Sequence, residues 1–499
     1  MVKRIQYSFS SIFVIIKLNV SMKIKSISFI VLLYFGNTLY AQLLSDSLMI
    51  SYTQQQVDSI YTAGGIPSFV GQTNYDVNIY KLLYETTDAT GALTTASGAL
   101  FLPENVSCGL PIISYQHGTL ANESGIPSKL GGEALIGTIA ASHGYAVVMP
   151  DYIGMGDSPG FHPYCHAQTE ANAVLDIIRS GKLFCNSNGY ALNDQIFLMG
   201  YSQGGHATMA AIKEIELNYS SEFNVVASVP MAGPYDISGV QRELLENDSV
   251  YSQPGYLPYI IMGYNEVYDL YDSLQEVFAP PYDSILATLF DGTNGMGTIN
   301  GYLPSIPKNM IDSAYFANFL ADSLHPFKEA LRDNDLYNWV PQTHIRMAHC
   351  AGDNVVPYEH AQIAYDAFIA AGADSVDLIN NGDIDHGPCG ELSIIGAKLF
   401  IDTKAELCGG GFGGAADKVL SDNKLLVYPN PSIGSFVASI SNTNILELNL
   451  IDLLGEEVFK ISNTNQKEVS IELFVRPGIY LLRAKSVDGV IHSKKISVK

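Results

Sequence analysis

The stretch QIFLMGYSQGG, residues 195–205, joins an apolar run to a glycine-flanked serine. Gln195–Gly200 is predicted to be a buried strand, and a helical pattern follows at His206–Leu217. Between them Gly200-Tyr201-Ser202-Gln203-Gly204 fits the pattern G-x-S-x-G. In that pattern a tight strand-to-helix turn exposes the serine hydroxyl, and the glycines keep neighbouring side chains away. The stretch therefore predicts a nucleophilic Ser202 at the carboxyl end of a strand.

Apolar strand-like runs alternate with helical runs on both sides of this stretch. The other predicted strands are Val77–Tyr84, Ser97–Leu102, Pro111–Tyr115, Tyr145–Pro150, Val225–Met231, His344–Cys350 and Ser375–Ile379. The other predicted helices are Glu133–Ala141, Glu170–Ser180 and Glu359–Ala371. Strands this apolar, separated by helices, predict an α/β fold with a mostly parallel sheet covered on both faces. Residues 43–75 are polar and fit neither pattern.

One long interruption separates two of these strands. Tyr235–Pro341 is rich in Tyr and Pro, and a structureless loop of that length is unusual in a compact domain. We therefore predict a folded, largely helical insertion, either a cap over the site or a decoration away from it. As a cap, its apolar side chains would favour esters of short to medium acyl chains, because each buried CH₂ contributes about 0.8 kcal/mol.

The composition changes after Asp402. A Gly-rich linker (409–423) is followed by a small β-rich unit (424–499) whose runs alternate in hydrophobicity. Its predicted strands are Ser435–Ile440, Leu446–Asp452, Glu456–Ile461, Ser470–Leu473, Ile479–Ala484 and Lys494–Val498. We predict a C-terminal β-sandwich behind a catalytic domain at 42–408, with the cap at about 235–341.

Serine becomes a strong nucleophile only when a histidine accepts its proton and a carboxylate orients that histidine. On this kind of sheet the expected chain order is serine, acid, histidine. Asp353 follows the strand at 344–350, and His386 lies in a loop after the last strand, so both reach the edge that carries Ser202. Asp385 is an alternative acid, and His349 and His360 are alternative bases.

Two backbone N–H groups are expected to stabilise the oxyanion of an acyl-transfer intermediate. One belongs to Gln203, directly after the nucleophile, and the other to Thr119 in Gln116-His117-Gly118-Thr119, with Gly118 as the near alternative. A second His-rich segment, His162-Pro163-Tyr164-Cys165-His166, could suggest a metal site. No second ligand cluster accompanies it, so we predict a solvated loop, no metal and no cofactor.

The N-terminus predicts export. From Met22, basic residues precede the apolar run Ile27–Phe35 and a cleavage site at Leu39-Tyr40-Ala41, so 1–41 is an upstream stretch plus a signal peptide. No later segment is long and apolar enough to anchor the chain in a membrane. The formal net charge is −23, and −28 after removal of the five basic residues of 1–41 (22 − 50), which excludes nucleic-acid binding.

Six cysteines in an exported chain are compatible with three disulfides, or with fewer if several are buried free thiols. Their pairing does not follow from the sequence. They are Cys108, Cys165, Cys185, Cys350, Cys389 and Cys408.

Several motifs together resemble the secretory lipase family of the α/β-hydrolase superfamily. They are HGT at 117, PDYIGMGDS at 150, EANAVLDIIR at 170, GYSQGG at 200 and GDNVVP at 352. The resemblance covers about Val77–Asp402 and implies an α/β-hydrolase fold, a cap after the sixth strand and esterase or triacylglycerol lipase activity. It supports Ser202, Asp353 and His386 as triad, with Gln203 and Thr119 as oxyanion donors.

The tail resembles a type IX secretion C-terminal sorting domain. The motifs are VYPNP at 427, DLLG at 452, PGIYL at 477 and a Lys-rich end. The resemblance implies Sec export and then transport across the outer membrane, with release or surface attachment, by the type IX machinery as partner. An ordinary carbohydrate-binding sandwich is the alternative.

The sequence thus predicts a secreted serine carboxylic-ester hydrolase acting on a small-molecule or lipid ester. Two other functions stay open. A serine peptidase or aminopeptidase can use the same fold, although no anchor for a substrate amine is evident. A non-catalytic surface-binding protein would leave the serine, acid and histidine motifs unexplained.

Overall fold

The computed structural model describes residues 42–408 except 68 and 69, and residues 425–498 except 429, 431, 433, 441, 442, 452–456, 474, 477 and 488–490. The predicted signal peptide and the Gly-rich linker lie outside the described residues. Among the described residues, no helix is long and apolar enough to cross a bilayer.

The alternating apolar runs form a nine-stranded sheet in the order β1-β2-β3-β5-β4-β6-β7-β8-β9. Its strands are β1 Leu43–Tyr52, β2 Val77–Thr87, β3 Leu93–Pro103, β4 Leu110–Gln116, β5 Ala146–Pro150, β6 Leu192–Tyr201, β7 Val225–Met231, β8 His344–His349 and β9 Val376–Asn380. The first three strands and β5 pair antiparallel, and every other pairing is parallel. The central strands β4 and β5 are buried along their whole length, which is why they lack a polar alternation.

Helices cover both faces of this sheet. The α-helices are α1 Gln54–Ala63, α2 Ala134–Ser142, α3 Ala167–Asn188, α4 Gln203–Asn218, α5 Arg242–Glu246, α6 Tyr256–Tyr268, α7 Tyr282–Leu289, α8 Met296–Tyr302, α9 Ser313–Ala321, α10 Pro326–Asp333, α11 Glu359–Ala370 and α12 His386–Asp402. Short helical turns occur at Pro127–Lys129, Ile237–Gln241, Leu274–Glu276 and Pro307–Met310. One core joins the sheet to α3, α4 and α11, and a second joins it to α1, α2 and α12.

The insertion between β7 and β8 is largely helical, as predicted, and carries α5–α10. It has its own apolar core, to which the buried side chains of Tyr251, Tyr259 and Tyr264 belong. Tyr164 and Cys165, from the segment before α3, pack into the same core. Tyrosines of the insertion therefore pack in its core, and the insertion and the segment before α3 share that core.

The C-terminal unit consists of two antiparallel sheets, β10-β11-β14 and β13-β12-β15-β16, which share one apolar core. Its strands are β10 Leu425–Tyr428, β11 Ser435–Ile440, β12 Ile445–Ile451, β13 Glu457–Gln466, β14 Glu468–Glu472, β15 Gly478–Ser486 and β16 Ile491–Val498. Six of the seven overlap the predicted strands. The first, β10, was not predicted because it is only four residues long and directly follows the linker.

Three sequence expectations need correction. Residues 43–75, which fitted no pattern, contain the edge strand β1 and the helix α1, whose N-cap Thr53 forms a capping box with Gln56. His386 is the first residue of α12 and not part of a loop. The cysteines form two disulfides, Cys108–Cys408 and Cys350–Cys389, and leave two buried free thiols.

Candidate active site

Ser202 lies at the turn from β6 into α4 with φ 60° and ψ −122°, a backbone conformation that non-glycine residues rarely adopt. The glycines on either side permit the close approach of strand and helix. A Cβ at Gly200 would lie 2.3 Å from the carbonyl oxygen of Gly204, and one at Gly204 would lie 1.9 Å from that of Gln116. The G-x-S-x-G glycines are therefore required by contact, and they fix where the serine hydroxyl points.

The structure brings Ser202, His386 and Asp353 into one hydrogen-bonded row. His386 Nε2 lies 2.9 Å from Ser202 Oγ, and His386 Nδ1 lies 2.7 Å from Asp353 Oδ2. The other carboxylate oxygen of Asp353 accepts the backbone N–H groups of Val355 and Val356 at 2.9 and 2.8 Å. The row therefore has the geometry by which a carboxylate holds an imidazole with Nε2 free to accept a serine proton.

Asp353 is held in its charged form. Burial acts to raise the pKa of its carboxyl, but hydrogen bonds from His349, His386 and the Val355 backbone outweigh burial and bring the pKa well below the usual range. Tyr201 also contacts His386, because its phenol donates to the His386 carbonyl oxygen at 2.6 Å and its ring lies 4.9 Å from the imidazole. This role of Tyr201 was not predicted from the sequence, although Tyr201 stands inside the G-x-S-x-G motif.

A disulfide joins the loop that carries Asp353 to the helix α12 that carries His386. Cys350 lies three residues before Asp353 in the chain, and Cys389 lies three residues after His386 in α12. The bond is buried at both ends. It ties the segment after β8 to the start of α12 and so restricts how far Asp353 and His386 can separate.

The alternative residues occupy other places. Asp385 is the N-cap of α12, and the carboxylate near His386 Nδ1 is that of Asp353. His349 is buried beside Asp353, with Nε2 2.8 Å from the Val356 carbonyl oxygen. His360 is buried in α11, where its Nδ1 accepts the backbone N–H of Asp236 and burial lowers the pKa to about 3. Neither alternative histidine is hydrogen-bonded to Ser202.

The backbone N–H groups predicted for the oxyanion lie on two elements. Gln203 is the first residue of α4, so its N–H has no partner one turn earlier in the helix. Gly118, the near alternative in the other segment, donates its N–H to Glu133 Oε1 at 3.1 Å and is occupied. That leaves Thr119 as the better second donor, and its role stays a prediction.

A small apolar cavity of about 30 Å³ adjoins Ser202. It is lined by Tyr164, Cys165, Ser202, Gln203, Pro234, Ile237, Gln241, Tyr251, Tyr256, Ile260 and Val356. Most of these residues come from the insertion or the segment before α3, so the insertion forms a wall of the cavity, as a cap would. Every lining residue is uncharged, which suits an acyl chain better than an ammonium group.

A second, fully buried network lies behind Ser202. Glu170 of α3 accepts from His206 Nδ1 at 2.6 Å with one oxygen and from Gln203 Nε2 at 2.9 Å with the other. Cys165, Glu170 and His206 place ligand-type atoms within 4.8 Å of one another, the one such group among the described residues. Both carboxylate oxygens of Glu170 therefore already have protein partners, and Glu170 needs no cation to satisfy them.

The nine-stranded sheet with its helices, the strand-to-helix turn at Ser202 and the apolar cavity beside it define a protein of the α/β-hydrolase class. Residues 129–390 match the family model of the secretory lipases, which covers more than half of the chain. The chain therefore belongs to the secretory lipase family. Residues 426–499 match the model of the secretion system C-terminal sorting domain, so the protein is an exported one.

Known proteins with similar sequence or structure agree with this assignment. The secreted triacylglycerol lipase LIP7 of Malassezia globosa is 23% identical over 330 residues, which span 60% of this chain and 65% of that lipase. The crystal structure of the rice cell wall degrading esterase LipA from Xanthomonas oryzae is 28% identical, with a TM-score of 0.62, covering 75% of this chain and 97% of that one. A Legionella pneumophila protein described as a hydrolase is 27% identical, with a TM-score of 0.66, over 72% and 97% of the two chains.

Proposed function

We propose that this protein is an exported serine hydrolase that cleaves carboxylic esters with short to medium acyl chains. The observation that carries the proposal is the hydrogen-bonded row Asp353–His386–Ser202 at the edge of an uncharged cavity. Membership of the secretory lipase family and the likeness to an esterase and a lipase support the same chemistry.

In the proposed mechanism Ser202 Oγ attacks the ester carbonyl carbon while His386 Nε2 accepts the hydroxyl proton. The carbonyl oxygen becomes an oxyanion that accepts hydrogen bonds from the N–H groups of Gln203 and Thr119. Collapse expels the alcohol, which takes the proton from His386, and leaves an acyl-serine. Water, deprotonated by His386, then attacks the acyl-serine; the bond to Ser202 Oγ breaks, His386 returns the proton to that oxygen, and the acid is released. Asp353 holds the imidazole and stabilises its charged form throughout.

The deciding experiment compares an ester with a matched amide. The mature chain from Gln42 is assayed for kcat/KM on p-nitrophenyl butyrate and octanoate and on an aminoacyl p-nitroanilide. We expect the esters to be the better substrates, because the cavity offers apolar surface and no carboxylate to receive a substrate amine. A preference for the anilide would instead assign a peptidase with the same three catalytic residues.

We further propose that residues 424–499 direct the chain across the outer membrane through the type IX secretion machinery. The match to the sorting-domain model and the position of the triad wholly before the linker support this division. Deleting residues 424–499 should leave ester hydrolysis unchanged in the purified protein and should cause the enzyme to accumulate in the periplasm of the native host. Normal delivery to the surface without these residues would refute the sorting role.

A further inference from the structure

The segment His162–His166, between β5 and α3, lies against both the nucleophile turn and the cap. The sequence predicted a solvated loop here, but all five residues are buried. A buried segment with two histidines and a tyrosine must satisfy its polar atoms internally. The partners of those atoms show what the segment holds in place.

Toward the nucleophile turn, the segment holds the side chain of Gln203. Burial lowers the pKa of His162 to about 4, so its ring is neutral at pH 7. Its Nδ1–H donates to the Ile153 carbonyl oxygen at 2.7 Å, which leaves Nε2 to accept from Gln203 Nε2 at 2.7 Å. The second amide hydrogen of Gln203 goes to Glu170. Gln203, whose backbone N–H is the first proposed oxyanion donor, is thus held by side-chain hydrogen bonds to His162 and Glu170.

Toward the other side of the site, the segment holds Thr119. The Tyr164 hydroxyl shares a hydrogen bond of 2.9 Å with Thr119 Oγ1. The preceding residue, Gly118, is tied through its N–H to Glu133. One five-residue segment therefore contacts both residues that supply the proposed oxyanion donors, although they lie on different elements.

The cap helix α6 packs directly on this segment. Tyr259 stacks on Tyr164 with ring centroids 4.5 Å apart and planes 2° from parallel, and its hydroxyl donates to the Leu120 carbonyl oxygen at 2.9 Å. A Cβ at Gly263 would lie 2.7 Å from the Tyr164 backbone nitrogen, so helix and segment are in close contact. Tyr264 donates to the Cys165 carbonyl oxygen at 3.0 Å. The helix thus holds the segment and also the residue next to Thr119.

We propose that the His162–His166 segment couples the position of cap helix α6 to the oxyanion hole. His162, Tyr164 and Tyr259 are positioning residues: they touch no reacting atom and act through Gln203 and Thr119. With α6 seated, both donors are fixed, and displacement of α6 removes the support on the Thr119 side. The inference rests on the proposed function, since it assigns a role to parts of that same site.

The test removes one hydroxyl at a time from this chain of contacts. Tyr164→Phe and Tyr259→Phe each keep the ring and delete one hydrogen bond, and Thr119→Val deletes the Thr119 hydroxyl while keeping the backbone N–H. Each should lower kcat for p-nitrophenyl butyrate on the order of tenfold or more, with KM within about twofold, because oxyanion donors act mainly in the transition state. Affinity for a trifluoromethyl ketone, whose adduct with Ser202 carries an oxyanion, should fall by the same factor as kcat.

The matched control is Tyr268→Phe, which keeps the α6 ring that contacts His166 and removes a hydroxyl whose partner, Asn334 Nδ2 at 3.0 Å, lies outside the segment. It should leave kcat and ketone affinity unchanged. Tyr164→Phe combined with Thr119→Val should be no worse than either alone, because both delete one hydrogen bond. The coupling is refuted if Tyr164→Phe and Tyr259→Phe leave both readouts unchanged, or if Tyr268→Phe lowers them equally.

Failure of the coupling can be told apart from failure of the proposed function. Ser202→Ala should abolish both ester turnover and covalent binding of the ketone. If Ser202→Ala stays active, the proposed function itself is wrong. If Ser202→Ala is inactive while the tyrosine variants behave as wild type, only the coupling falls.

Discussion

Two histidine–carboxylate pairs lie on either side of Ser202 with nearly the same hydrogen bond and opposite surroundings. His386 Nδ1 lies 2.7 Å from Asp353, and His206 Nδ1 lies 2.6 Å from Glu170. The other nitrogen of His386 faces the Ser202 hydroxyl, and its side chain is 13% exposed. The other nitrogen of His206 faces the Asn334 carbonyl oxygen at 3.2 Å, and its side chain is 0% exposed.

The difference shows that the partner of the second nitrogen decides what such a pair can do. A hydroxyl can give up its proton to Nε2, so His386 can act as a base. A carbonyl oxygen can only accept, so both nitrogens of His206 face acceptor oxygens and neither faces a hydroxyl whose proton it could take. The first pair is therefore suited to proton transfer, and the second is suited to holding α3, α4 and the C-terminal end of α10 together.

The largest effect should come from breaking the first pair while keeping its shape. Asp353→Asn should lower kcat on p-nitrophenyl esters on the order of 10⁴-fold, because the amide favours the wrong imidazole tautomer. Ser202→Ala and His386→Ala should be at least as severe. Circular dichroism and thermal unfolding should show a folded protein in each case. Near-normal turnover by Ser202→Ala would overturn the proposed mechanism.

The equivalent change in the second pair should act on stability. Glu170→Gln replaces two buried acceptor oxygens by one, so one buried donor, of His206 or of Gln203, loses its partner, which costs about 1–3 kcal/mol. Urea unfolding of Glu170→Gln against wild type measures this loss. If Glu170→Gln were as stable as wild type, the pair would not hold the interior together.

The third test uses the disulfide that supports only the first pair. Cys350 and Cys389 close a loop of 39 residues, so replacing both by Ala should cost up to about 4 kcal/mol through loop entropy. Because the bond ties the Asp353 loop to α12, kcat should fall as well. Cys108→Ala with Cys408→Ala is the matched control: it removes a disulfide remote from the triad residues in sequence and should spare kcat. If kcat fell equally in both double variants, the Cys350–Cys389 disulfide would have no specific role in positioning Asp353 and His386.

The comparison also shows what the sequence could and could not predict. Central strands such as β7 were predicted with their observed bounds, because burial on both faces makes them uniformly apolar. The edge strand β1 was missed because most of its residues face solvent. The turn at Ser202 and the chain order of Ser202, Asp353 and His386 were predicted from local motifs. Each of these motifs follows a strand, and these strands end at the same edge of the sheet.

The supporting contacts could not be predicted because they join segments far apart in the chain. Glu170 and His206 are 36 residues apart, and Thr119 and Tyr164 are 45 apart. A histidine-rich segment has the same local appearance whether it is solvated or buried, so His162–His166 was assigned to the surface. The segment is buried because α6 packs over it, and its local sequence does not indicate that contact.

The smallest effect concerns the pH dependence of the free energy of unfolding, to which the buried histidines contribute. Burial lowers the pKa of His162 and His166, beside the second pair, to about 4, and that of His143, in another part of the fold, to about 3. These rings gain a proton near pH 6.5 when the chain unfolds and only near pH 3–4 while it is folded. Below pH 6.5 the unfolded state therefore binds more protons, and stability must fall as pH falls.

Asp353 contributes with a different window. Its folded pKa lies below the unfolded value, so its contribution is present above about pH 4 and is lost only below that. Between pH 6.5 and 4 the loss of stability should thus come from the buried histidines, at about 1 kcal/mol per pH unit for each. Urea unfolding of the Ser202→Ala variant at pH 7, 6 and 5 measures it without interference from turnover.

His143→Phe gives this prediction a sharp control. Both ring nitrogens of His143 are buried without a hydrogen-bond partner among the described residues, so an apolar ring of similar shape should be tolerated. The variant removes one titrating group, and it should therefore lose less stability than its parent between pH 7 and pH 5 by about 1–2 kcal/mol. The same slope in both proteins would mean that His143 is not neutral in the folded state, and that burial alone does not set the charge of this protein's histidines.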